Sequence, residues 1–205
     1  MTQEQTVHSV RAQAPEEAVR ADLYALLARL FYGGPDATVL AAIAAADRLV
    51  ADGDAPLSRA WRELQAASAH ADVAEVSDEF NRLYVGIGKA PISIYASYYL
   101  TENYKELTLV HLRDELERFG LARKPDAAEP EDHLAGLLDV MRHLVQRSEG
   151  GYSVQSAFFN SYLKPWSERF CAATEQSEAA VYYKILCGLL NAYFALEVEY
   201  FEWTV

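Results

Sequence analysis

From residue 16 onward the apolar positions recur at steps of three and four. In "PEEAVRADLYALLARLFYGGP", Val19, Leu23, Leu26, Leu27, Leu30 and Phe31 fall on one side of a 3.6-residue period, which predicts an amphipathic helix. Pro15 suits its first position, and Gly33-Gly34-Pro35 ends it. A second helix starts after Asp36, a natural N-cap, and carries Val39, Leu40, Ile43 and Leu49 before the turn-forming "DGDAP". A third contains Trp61 and Leu64. A fourth spaces Val73, Val76, Phe80 and Leu83 by three and four and breaks at Gly86 and Gly88. Thr101 can cap the next helix, which ends at Phe119-Gly120. After the polar linker "ARKPDAAEP", a helix is expected from Pro130 to Gly150-Gly151, because proline at the first helical position lacks only an N–H that has no partner there. Tyr152 to Val205 reads as a helix broken at "KPW" and a long final helix bearing Val181, Ile185, Leu189, Tyr193 and Leu196.

No strand-like alternation separates these helices, so doubly wound and barrel folds are removed. An all-α, single-domain bundle of roughly eight to ten helices remains. It is expected to occupy residues 15–205 behind a flexible tail, 1–14. No internal repeat is evident, which argues against a solenoid.

Composition agrees with one substantial core: 51% of the 205 residues are hydrophobic and 23% charged. The excess of 30 acids over 18 Lys and Arg, a net charge of -12, disfavours nucleic acid or an anionic membrane as partner and favours a basic one. "MTQEQTVHSVRAQAP" has neither a basic n-region nor an apolar run, so no secretory signal is read there and a cytoplasmic location is expected. No apolar stretch approaches the roughly 20 residues of a spanning helix. Cys171 and Cys187 form no CxxC and read as reduced packing residues.

Candidate chemistry is sparse. A di-iron bundle needs Glu-x-x-His, which is absent. Asp139 with His143, and His111 with Glu115, stand four apart and could each offer two metal ligands, although a solvated acid–imidazole pair is the commoner arrangement. "GIGK", Gly86 to Lys89, lacks the remaining residues of a phosphate loop and follows a helix where a strand is required. A nucleotide- or metal-dependent helical enzyme is thus the weaker class, and no catalytic residue, metal or cofactor is expected. In "EPEDH", Glu131 and Asp132 would lie in the first turn of the Pro130 helix, where the dipole favours acids. His133 gains nothing from that end, so a neutral imidazole is expected, in either a capping or a ligand role.

Three ordered blocks together resemble the TorD/DmsD family of cytoplasmic maturation chaperones for molybdoenzymes. They are "EFNRLYVGIGKAPISIYAS", Glu79 to Ser97; "EPEDH", Glu129 to His133, with its leucine-rich helix and Met141; and "YLKPWSERF", Tyr162 to Phe170. The dimethyl-sulfoxide-reductase type is most similar, through Leu137 four residues past His133. Ile87, Tyr95 and Tyr162 depart from the residues usual at their positions. The resemblance implies binding of the twin-arginine signal peptide, or the apo-form, of a molybdenum-cofactor oxidoreductase, with export delayed until the cofactor is inserted. An assembly factor that binds the client body is the alternative within the same superfamily. The resemblance carries peptide contact onto Phe80, Leu83, Tyr84, Pro91, Tyr95, Ser97, Asp132 and His133. For Phe80 and Leu83, core packing is the competing role; Pro91 can instead fix its loop, and Pro165 and Trp166 read as a helix break and a buried anchor.

Overall fold

The computed structural model describes residues 15–46, 55–100, 105–147 and 151–203. Ten α-helices and one π-helical turn account for most of them, with no strand among the described residues. In chain order they are α1 (Pro15–Gly33), α2 (Ala37–Ala45), α3 (Pro56–His70), α4 (Val73–Phe80), the π turn (Asn81–Val85), α5 (Ala96–Leu100), α6 (Lys105–Arg118), α7 (Leu134–Arg147), α8 (Gly151–Tyr162), α9 (Lys164–Glu175) and α10 (Tyr182–Trp203). The expected all-α single domain is what forms. α1 lies along α7, while α10 packs between α3 and α9, and α2 closes on α3.

Local signals account for most boundaries. Asp36 Oδ1 accepts the Val39 N–H at 2.9 Å, and Asp72 Oδ1 accepts those of Ala74 and Glu75 at 2.9 and 3.1 Å, so each caps the helix that follows. α8 and α9 are separated at Leu163. Trp166 is fully buried there, donates its indole N–H to Tyr162 O at 2.6 Å and stacks on Tyr99 at 5.2 Å. The two cysteines are free and buried where α9 meets α10.

The core centres on five rings: Phe31, Phe80, Tyr84, Phe170 and Tyr183. Tyr84 lies 5.3 to 6.4 Å from the other four. Two carboxylates enter this apolar interior, and each is fully used. Glu79 takes the backbone N–H groups of Val181, Tyr182 and Tyr183 at 2.8, 3.0 and 2.8 Å, an anion seated at the positive end of α10. Glu197 receives Arg20 in a two-pronged pair and the Tyr24 hydroxyl at 2.8 Å, which ties α10 to α1.

After α4 the chain widens into the π turn, closed by Gly86 N–H on Asn81 O at 2.7 Å. Gly86 has φ +65° and ψ 179°, and a Cβ there would stand 2.5 Å from Lys89 O, so no other residue fits without backbone movement. The expected break at Gly86 and Gly88 is thus real, and Ile87 between them is wholly exposed.

Several expectations need correction. α7 begins at Leu134, not Pro130; the His133 N–H bonds back to Pro130 O at 3.2 Å, closing a turn in place of a first helical turn. Val19 is 49% exposed because the adjacent Arg20 takes the inward position. Val181 precedes α10 and is exposed, as is half of Leu196. α2 stops at Ala45, and Gly151 opens α8. Leu49, Thr101 and the expected tail, 1–14, lie outside the described residues.

Candidate binding groove

The "EPEDH" block folds against the segment that follows the glycine turn. Tyr95 and His133 form an isolated antiparallel bridge, in which Ala96 N–H meets Asp132 O and Leu134 N–H meets Ile94 O, both at 3.0 Å. Asp132 is 1% exposed, and its Oδ2 accepts the Ser97 N–H at 3.0 Å. That carboxylate therefore caps α5 from across the bridge, in the way an N-cap side chain usually does from within its own chain segment.

His133 is buried and heads α7. Its Nδ1 accepts the Ala135 N–H at 3.1 Å, which assigns the proton of the neutral ring to Nε2. Burial pulls its pKa below the ordinary imidazole value, against the charges of Glu129 and Asp132, which pull upward. The neutral histidine expected from the helix-end argument is therefore also favoured by burial. Tyr32 and Tyr95 both face the ring edge to face, at 6.2 and 5.3 Å.

Tyr95 donates its hydroxyl to Glu129 Oε2 at 2.6 Å. Burial, then the hydrogen bond and charge of Glu129, push the phenol above its usual range, so it stays a donor at any physiological pH. Glu131 is held differently, in a two-pronged pair with Arg113 at 3.0 Å for both bonds. That guanidinium lowers its carboxyl below the usual glutamate range.

Beside this cluster lies a groove of about 500 Å³ between α1, α7 and the linker through Glu131. Its floor is made of short residues: Ala25 and Ala28 of α1, Ala135 and Gly136 of α7. Gly136 lets the linker approach, since a Cβ there would be 3.3 Å from Glu131 O. Val140, Leu116 and Leu121 add apolar wall, and His133 and Glu129 stand at the end nearest the bridge. Of the cations on the rim, Arg29 pairs with Asp36, Arg123 with Glu131 and Arg142 with Asp139.

The sequence-nominated residues divide into two groups. Tyr95, Ser97, Asp132 and His133 come together around the bridge, and His133 reaches the groove. Phe80, Leu83 and Tyr84 are 6%, 1% and 4% exposed within the aromatic core, and Pro91 is exposed on the loop. Missing from the sequence reading were Glu129 as a groove residue and the α1 face of Ala25, Ala28 and Tyr32. Glu129 opens "EPEDH" and was visible there; the α1 face was hidden because alanines on a helix carry no periodic signal. Of the nominated metal pairs, Asp139 and His143 are engaged elsewhere: Asp139 Oδ1 accepts from Arg142 at 2.6 Å, and His143 Nε2 lies 3.4 Å from Arg147 Nη1. Among the described residues no cluster of three potential metal ligands occurs, and no helix is long and apolar enough to cross a membrane.

A family model described as "Nitrate reductase delta subunit" matches residues 51–172, more than half of the 205. The chain belongs to the TorD/DmsD family. Its TorD-named relatives include "Chaperone protein TorD" of Aliivibrio fischeri, 28% identical over 137 residues, which are 62% of this chain and 64% of that protein. "Chaperone protein TorD" of Actinobacillus succinogenes is 29% identical over 119 residues, 58% of this chain and 61% of the relative. This member of the family thus spans somewhat less than two thirds of the length of the curated relatives it matches. The linker, the bridge and α7 all fall inside the family match, whereas α1, the other wall of the groove, lies before it.

Proposed function

We propose that this protein is a cytoplasmic, non-enzymatic maturation chaperone for a molybdenum-cofactor oxidoreductase. It binds the twin-arginine signal peptide of the apo-enzyme and so delays export until the cofactor is in place. The observation that carries this reading is the groove between α1 and α7, whose small-residue floor accepts apolar side chains while Glu129 stands at one end. A leader peptide has that same order, a basic end followed by an apolar run.

In this account the groove takes the apolar run. His133, neutral and with Nε2–H free of its capping bond, offers one hydrogen bond to the peptide backbone. Asp132 and Ser97 contribute by holding the bridge in register, and Tyr95 by orienting Glu129. Phe80, Leu83 and Tyr84 support the wall from the core, and Pro91 shapes the loop before it. Relatives that carry the name chaperone support the class of activity, which needs no bond-making residue.

Fluorescence polarisation with labelled leader peptides tests the reading. We expect saturable binding that weakens when Gly136→Val fills the floor, and an unchanged affinity for Ile87→Ser on the remote loop tip. Equal affinity for both variants would remove the groove from the account. Binding of the client body is the competing reading, and a client lacking its leader that still binds undiminished would favour it.

A further inference from the structure

Along α10 the inward row Tyr193, Glu197 and Phe201 is buried, and a second row, Leu196, Tyr200 and Trp203, lies one residue, about 100°, around the helix from it. That second row has the i, i+4, i+7 spacing of a helix–helix seam, yet it is 46%, 37% and 88% exposed. Single exposed apolar residues are ordinary on a surface, but three in one row at the end of a core helix form a continuous ridge. The ridge is fixed in place. The Tyr152 hydroxyl donates to Tyr200 O at 2.6 Å, its ring lies 5.4 Å from that of Tyr200, and the Arg20 guanidinium sits 4.1 Å from the centre of the Tyr200 ring. α1 runs antiparallel to α10, since Arg20 meets Glu197, Tyr24 meets Tyr193 and Leu30 meets Tyr183. The exposed Val19 and the acids Glu16 and Glu17 of α1 therefore lie at the same end. None of these residues lines the groove between α1 and α7.

Glu199 and Glu202 are exposed beside the ridge on α10 and form no ion pair among the described residues. Arg20, the cation at this end, has its guanidinium closed onto Glu197. A second copy of the chain laid on the ridge about a two-fold axis would set Glu199 and Glu202 against their own kind, and an anionic membrane would meet the same repulsion. α10 bonds its backbone internally along the ridge, so an extended segment could not add to it as a strand, whereas a helix brings its own backbone bonds. We infer that this ridge is a docking surface for a basic amphipathic helix of a partner protein, one whose apolar residues recur at steps of three and four between flanking lysines or arginines. Leu196, Tyr200 and Trp203 supply the apolar contact, and Glu199 and Glu202 pair with the flanking cations. The surface is separate from the groove, and the inference does not rest on the peptide-binding reading.

The test uses two labelled synthetic helical peptides of about 18 residues, both with leucines at steps of three and four. One has lysine and arginine on either side of the leucine row, the other glutamate. The proteins are wild type, Leu196→Ser with Trp203→Ser, Glu199→Lys with Glu202→Lys, and Gly136→Val in the groove. A control, Glu63→Lys with Asp78→Lys, makes the same change of net charge at exposed positions elsewhere. Circular dichroism and thermal melting check each fold. Wild type should bind the basic peptide about tenfold or more tightly than the acidic one. The serine pair should lose about tenfold of that affinity. Glu199→Lys with Glu202→Lys should reverse the preference, and the control should lose about threefold at most. Gly136→Val should bind as wild type does.

Equal binding of both peptides by wild type, or no binding at all, overturns the inference. So does a control that falls as far as Glu199→Lys with Glu202→Lys, since net charge and not the ridge would then be responsible. Weakened binding in Gly136→Val would place the probe in the groove and also overturn it. A dimer in sedimentation that Trp203→Ser dissolves would assign the ridge to a second copy, and ridge-dependent binding to vesicles of zwitterionic lipid without peptide binding would assign it to a membrane; either outcome removes the helical partner.

Discussion

Arg20 Nε and Nη2 each lie 2.7 Å from a different oxygen of Glu197, a two-pronged ion pair closed in the interior between α1 and α10. Both side chains are almost wholly buried, so the pair's desolvation is already committed, and its geometry and further bonds decide whether it stabilises. Tyr24 and Gln155 complete it, the latter accepting Arg20 Nη1 at 3.2 Å. Removing one partner strands the other. Glu197→Ala is expected to cost about 3–5 kcal/mol in urea unfolding, whereas replacing both with apolar residues of similar volume should recover most of the loss. If the single and double variants were equally unstable, the charge account would be wrong.

Glu79 gives a second prediction. Its two oxygens serve three backbone donors at the start of α10, and the charge lies at the positive end of that helix. Glu79→Gln keeps one acceptor oxygen and loses the charge, so about 1.5–3 kcal/mol should disappear from the unfolding free energy. A loss no larger than that of an exposed helix-capping acid would contradict the burial argument.

The glycine turn separates two kinds of constraint. Gly86→Ala must move Lys89 O and also adopt a backbone conformation reserved for glycine, while Gly88→Ala meets open space and bears only the cost of φ +88°. Gly88→Ala should therefore cost about 1–2 kcal/mol and Gly86→Ala distinctly more. Equal melting temperatures for the two variants would rule out the steric part.

His133 makes stability depend on pH in a stated direction. Its folded pKa is depressed, so the unfolded chain binds the proton more readily and acid favours unfolding. The contribution is complete above the unfolded value of about 6.5 and is lost as pH falls through the lower folded value. His133→Asn keeps an oxygen for the Ala135 N–H but cannot titrate. Melting curves of wild type and variant should converge in their dependence on acid above neutrality and separate below it, with wild type falling more steeply. Parallel curves would show that the imidazole does not carry the effect.

The helices were legible wherever the signal was local. Asp36, the glycines after α4 and the "KPW" break all act through neighbours a few residues away, and each forms as read. Misreadings occurred where a partner is remote. An arginine at position 20 looks like a solvent-facing residue until Glu197 is placed beside it, and that reversal is what turns Val19 outward. Pro130 looked like the first residue of a helix, but Asp132 and Leu134 bond instead to residues 94–97, which no periodicity reveals. For the same reason the block that resembled the family was found, while the bond from Tyr95 to Glu129 within it was not.

The arrangements around Glu197 and Glu79 also impose an order on synthesis. Arg20 and Glu79 are made early, yet the counter-charge of Arg20, Glu197, and the three backbone donors to Glu79 belong to residues 181–197. Until that stretch has been translated, the emerging first half carries charges that have no place in a closed interior, and it must stay open to water. Ribosome-arrested chains that stop before Val181 should accordingly be cut readily by protease, and chains extended through α10 should resist it. The wall that α1 gives the groove then becomes firm only once α10 has been made, so a chain still short of that helix has no finished groove.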